Sequence, residues 1–160
     1  MLTIWKAFLS CALLICQVVV VHGIGQDSCV SFEKGSGFAL VQNKKAPTIL
    51  ISSVDSPSVH RALLDFQTDV YSVSGTKPTI RNVTSISSFA SITSPIIVGT
   101  VSSPLISQIV NTTGLDVTAL HGKWETFIAK TVNNPLPGIS QGYVIAGSDR
   151  RGCVSFLVQG

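Results

Sequence analysis

Charge is scarce in this 160-residue chain: only 12% of its residues are Asp, Glu, Lys or Arg, and glutamate occurs just twice, as Glu33 and Glu125. Eleven basic residues stand against eight acidic ones. No basic stripe offers the footprint that a nucleic-acid partner requires. Cysteine and histidine are also sparse, with no Cys-x-x-Cys and no Cys/His cluster, so no metal site is expected. There is no Gly-x-Ser-x-Gly elbow, no His-Glu-x-x-His and no phosphate-cradling loop. Gly35-Ser36-Gly37 is too short for a dinucleotide fingerprint and opens no helix. No cofactor is implied, and no repeat or low-complexity tail is present.

What is there begins with a leader. Lys6 precedes an apolar run from Ala7 to Val21, broken only by Ser10 and Gln17, and His22-Gly23-Ile24-Gly25 follows. A basic start, a short apolar stretch and a small-residue end make a secretory signal. The run is shorter than the about 20 residues a membrane span needs. The expected organisation is a signal peptide over residues 1–23, cleaved after Gly23 or Gly25, and one secreted extracellular domain over residues 24–160, with no membrane contact after cleavage. Loss of Lys6 leaves ten basic residues against eight acidic, close to neutral. Loss of Cys11 and Cys16 leaves Cys29 and Cys153. An oxidising compartment permits a bridge between them; two unpaired thiols, one of them buried, is the other reading. Asn82-Val83-Thr84 and Asn111-Thr112-Thr113 are glycosylation sequons in polar, loop-like sequence.

Short apolar stretches at residues 30–32 and 38–41, either side of Gly35-Ser36-Gly37, predict a hairpin. Residues 48–52 are apolar without alternation, as in a strand buried on both faces. Ser56-Pro57 reads as an N-cap and a first helical residue. Val59, Ala62, Leu63, Phe66, Val70 and Val73 then recur as one helical stripe, which Gly75 and Pro78 end. Residues 82–94, rich in Ser and Thr, predict a loop. A second buried strand at residues 95–99 and a second helix from Ser103-Pro104, ending before Gly114, repeat the pattern. Strand, helix, strand, helix implies parallel strands joined by a crossover. Residues 124–132 and 143–146 read as an antiparallel pair across the turn chemistry of residues 133–138. The expected fold is α/β with an α+β tendency: a mixed sheet with helices packed on it, most simply in two layers.

Asp65 and Asp69, four apart on the first helix, have the residue types for acid–base work on a sugar, but with Arg61 one turn before they read as a solvated helix edge. Trp124 beside Glu125 suits a sugar site; a Trp in a small domain is expected in the core. In Gly147-Ser148-Asp149-Arg150-Arg151-Gly152, Ser148 or Asp149 suits a helix cap. Two arginines in a first helical turn oppose the macrodipole. Either Asp149 and other surface carboxylates pair them, or Asp149, Arg150 and Arg151 form an anion site of arginine forks and free N–H groups.

Five segments, in order and spacing, resemble the N-terminal α/β domain of glycoside hydrolase family 115. They are Asp55-Ser56-Pro57 through Pro78; Ile96-Ile97-Val98-Gly99-Thr100 with Ser103-Pro104-Leu105-Ile106; Gly122-Lys123-Trp124-Glu125-Thr126-Phe127; Asn133-Asn134-Pro135-Leu136-Pro137-Gly138; and Val144 through Gly152. The resemblance covers roughly residues 38–152 and implies a xylan α-1,2-glucuronidase, a hydrolase that removes glucuronic acid or its 4-O-methyl ether from xylan. In that family the principal catalytic carboxylates lie in a following (β/α) barrel, so no catalytic residue carries over and the chain alone is expected to be inactive. The implied partner is an acidic xylan oligosaccharide or the missing barrel; a carbohydrate-binding or structural glycoprotein is the alternative. Two departures are present. The stretch after Thr100 is one residue short and lacks a lysine of the family's form, and residues 153–160 do not match the family's helix rich in Tyr, Asp and Glu. A truncated product, or a relative that lost its barrel, is the corresponding expectation.

Overall fold

The computed structural model describes residues 37–86 and 89–159. The expected leader, Cys29 and residues 30–32 of the expected hairpin lie outside them. Two of the strands, β1 and β3, are largely apolar and end in serine-rich loops. Strand β1 (Thr48–Ser52) leads into helix α1 (Pro57–Ser74), and β2 (Thr79–Val83) follows. Strand β3 (Ile96–Thr100) leads into α2 (Pro104–Thr113) and a 3-10 turn at Thr118–Leu120. Strands β4 (Phe127–Asn133) and β5 (Gln141–Gly147) form a hairpin, and α3 (Arg150–Gln159) closes the described chain.

The strands make one sheet in the order β2-β1-β3-β5-β4. Neighbours from β2 through β5 are parallel, and β4 runs antiparallel to β5. This is the mixed α/β sheet that the apolar runs predict. The helices divide between its faces. Ile49, Ile51, Ile96, Val98 and Ile145 pack with Val59, Ala62 and Leu63 of α1 and Cys153 and Leu157 of α3. The alternate residues Leu50, Ile97 and Val144 pack with Leu105, Ile106 and Ile109 of α2. The layers are therefore three rather than two. Central strands that are buried on both faces require cover on both. Each buried Ile or Leu contributes on the order of 1.5–3 kcal/mol, against about 1 kcal/mol for a helix cap, so the two clusters dominate stability.

The helix punctuation acts as the residue types dictate. Proline opens α1 and α2, and Gly75 and Gly114 end them at φ 68°. The stripe of α1 is buried at Val59, Ala62, Leu63 and Val70, but Val73, in the last turn, is 91% exposed. Residues 38–41 form no strand; a tight turn between Gln42 and Lys45 follows them. Residues 79–83, partly assigned to a loop by their polarity, form edge strand β2, held by full register with β1. Consequently Asn82 sits on a strand and Asn111 on α2, not in loops; both are exposed.

Among the described residues Cys153 has no disulfide partner; it has no solvent exposure and is wedged against β5. Burial pushes its thiol up to about 12.

Candidate functional site

Three strand-to-helix loops meet at the carboxyl ends of β1, β3 and β5. The sheet order reverses between β1 and β3, and a crevice outside the carboxyl ends at such a reversal is where open α/β sheets bind ligands. A crevice of about 620 Å³ lies there, lined by the loops that start α1, α2 and α3 and by Trp124.

Asp55 ties the first two loops together. Its Oδ1 accepts from the Ser56 amide at 2.8 Å and the Thr100 hydroxyl at 3.2 Å, and its Oδ2 accepts from the Thr100 amide at 3.0 Å. The Ser56 side chain makes no cap bond to α1; Asp55 accepts from the amide of the N-cap residue itself and so fastens the loop rather than the helix. Close approach demands a glycine beneath it: a Cβ on Gly99 would stand 2.8 Å from Asp55 Oδ2 and from Ser103 Oγ. Ser103 caps α2 by accepting from the Ile106 amide at 3.4 Å.

The third loop is fastened to residues 124–126. Ser148 donates its amide to the Thr126 carbonyl at 2.8 Å, and the Thr126 amide donates to Ser148 Oγ at 3.2 Å. Asp149 caps α3, its Oδ1 accepting from the Gly152 amide at 2.8 Å, while Oδ2 accepts from the Glu125 amide at 3.3 Å. Those bonds, the Gly152 amide foremost, hold its carboxyl below the usual range. A Cβ on Gly152 would collide with the Thr126 carbonyl.

Of the expected pairing of the arginines with Asp149 and other surface carboxylates, the Asp149 part does not occur, since both Asp149 oxygens face backbone amides. Arg151 pairs with another surface carboxylate, Glu125, at 2.8 Å. Both side chains are more than half exposed, so the pair is worth at most about 1 kcal/mol. Arg150 is exposed, and among the described residues no carboxylate lies within ion-pair distance of it. Both arginines line the crevice. Trp124 is not core: it is 80% exposed, because the strand expected from residue 124 begins only at Phe127 and Glu125 before it holds a left-handed φ of 55°.

Asp65 pairs with Arg61 at 3.5 Å on the outer surface of α1, as its spacing predicts, and takes no part in the crevice. His60 donates from Nε2 to the Ser52 carbonyl at 3.2 Å. Asp55 and Thr100 were not singled out from sequence, and Ser103 only as the start of a helix. Asp55 and Thr100 stand 45 residues apart, and only the recurrence of a strand followed by Ser-Pro hints that the two loops are equivalent.

No protein-family model matches the chain, and no curated protein does. Among solved structures, it is similar to a family GH115 4-O-methyl-α-glucuronidase with specificity for decorated arabinogalactans, at 23% identity and a TM-score of 0.51. The match covers 71% of this chain and 13% of that one. The likeness is one of fold.

Proposed function

We propose that this chain is a secreted, non-catalytic domain of the kind that stands before the barrel in family 115 glucuronidases, and that its crevice faces the acidic sugar of a glucuronoxylan. The observation that carries this reading is convergence. Asp55-Ser56, Thr100 with Ser103-Pro104, Trp124, and Ser148 through Arg151 belong to four of the five segments that carry the resemblance, and all line one crevice. The fold likeness to a 4-O-methyl-α-glucuronidase supports it. The carboxylates present suit a scaffold: Asp55 and Asp149 hold loop amides with both oxygens, and Glu125 is engaged by Arg151. The exposure of Trp124 favours sugar binding over a purely structural glycoprotein.

The pure chain should release no 4-O-methylglucuronic acid from glucuronoxylan. In native gels it should be retarded by glucuronoxylan more than by unsubstituted xylan. Equal migration in the two polysaccharides, or release of the uronic acid, would overturn the reading.

A further inference from the structure

The two edges of the sheet are finished differently. Strand β4, at one edge, carries the exposed Lys130 at its middle, and a lysine on an edge discourages pairing with another chain. Strand β2 is the other edge. All five of its residues pair with β1 on one side, and among the described residues no strand pairs with it on the other. Such a row of backbone groups is a template for a strand of a second molecule.

Little within β2 opposes that. It contains no proline and no lysine. Its one charge, Arg81, is laid on a face of the sheet, the guanidinium 5.3 Å from the centre of the Phe89 ring. Val83 points to that same face and is buried beside Phe89. Side chains alternate along a strand, so Asn82 stands on the opposite face, where it is exposed, as is Thr84 just past the strand. The acceptor triplet Asn82-Val83-Thr84 is therefore anchored by its middle residue and open at both ends. The second triplet differs. Asn111 is exposed near the end of α2, where a helix satisfies its own backbone groups and leaves no edge to cover.

We infer that Asn82 carries an N-linked glycan, and that this glycan covers the β2 edge and keeps one copy of the domain from adding its sheet to another. A glycan is bulky and solubilising, and it is transferred only to chains that enter the secretory route, so the inference rests on the secreted reading above. It goes beyond that reading to a part of the molecule away from the crevice, which no β2 residue lines.

Expression of the full chain with its own leader in a eukaryotic secretory host tests the assignment. Peptide mapping before and after N-glycosidase treatment reads occupancy, and sedimentation velocity reads association. Asn82 should be modified in most secreted molecules, and both the unaltered chain and Asn111→Gln should sediment as monomers. Asn82→Gln and Thr84→Ala each remove the acceptor, and each should raise the associated fraction at least about tenfold at equal concentration. Asn82→Lys lacks the glycan but charges the edge, and should return to monomer. All these side chains are exposed, and unchanged thermal melting verifies that the variants fold. Secreted protein bare at Asn82 overturns the inference and leaves the secreted reading standing. Variants without the Asn82 glycan that stay monomeric overturn its role as cover. Association of Asn111→Gln as strong as that of Asn82→Gln makes the effect one of general solubility and overturns that role too. A chain kept inside the cell without a glycan defeats both the inference and the secreted reading.

Discussion

The two ends of the parallel sheet are built from different materials. At the amino ends, prolines Pro47, Pro78 and Pro95 lead directly into β1, β2 and β3. The connections there bury apolar side chains: Phe89, Leu136 and Ile139 are all nearly inaccessible, and the Phe89 amide donates to the Pro137 carbonyl at 2.8 Å. At the carboxyl ends stand Ser52, Asp55 and Ser103, the buried polar side chains among the described residues. Burial of a polar group is unfavourable unless it is hydrogen-bonded; Asp55 and Ser103 both are. One end is made to hold the sheet, and the other to hold three loops in fixed relation around an open crevice.

Substitution should separate the ends. The largest effect is expected at the amino end. Phe89→Ala removes a nearly inaccessible ring and should cost about 3–5 kcal/mol in urea denaturation. If the chain still folds, glucuronate binding should be unchanged; a loss of binding in folded protein would break the division between the ends. Asp55→Ala at the other end strands the amides of Ser56 and Thr100, and should cost about 1–3 kcal/mol. It should also abolish glucuronate binding, because two loops lose their common anchor. A variant that binds normally would show that Asp55 stabilises the end without shaping the crevice.

Acid should act on the crevice before the opposite end. The Gly152 amide holds the Asp149 carboxyl below its ordinary value of 3.8. A depressed carboxyl stabilises the fold above its unfolded value, and that contribution is lost as pH falls through the folded one. The amide proton of Gly152 should therefore titrate with a midpoint below 3.8, and Asp149→Asn should remove that transition. A midpoint at or above 3.8 would mean that Asp149 does not cap α3.

The smallest effect concerns Cys153. Its thiol is raised from 9.0 to about 12 by burial, so its contribution to stability is full below about pH 9 and fades toward pH 12. Iodoacetamide at neutral pH should not label it in native protein. After unfolding without reductant, Cys153 should take the label. Label that appears only after reduction would establish a bridge instead.

Sequence made some of this molecule legible and hid the rest for physical reasons. The starts and ends of α1 and α2 were readable because Ser-Pro and Gly act locally, through φ and the absent N–H. The strand β2 was hidden because Thr79, Arg81 and Asn82 carry no apolar pattern; an edge strand buries little, and its register with β1 defines it. Trp124 was expected inside because large apolar side chains usually are, and nothing local foretells the left-handed turn at Glu125 that leaves it outside. At the site, Arg150 and Arg151 announced themselves by opposing the helix dipole. Asp55 could not, because its partner Thr100 is brought to it only by the parallel pairing of β1 with β3.

Gly99 and Gly152 have a further consequence for how such a crevice is inherited. At each position the space for a side chain is already taken, at one by Asp55 and Ser103 and at the other by the Thr126 carbonyl. The frame is written in two absences, while Trp124 and Arg150 project from it into open space. A lineage could exchange either projecting residue, and with it the ligand, without disturbing the frame. A substitution at either glycine would deform the loops whatever the ligand. Descendants of this domain would then keep the outline of the crevice longer than they keep its occupant.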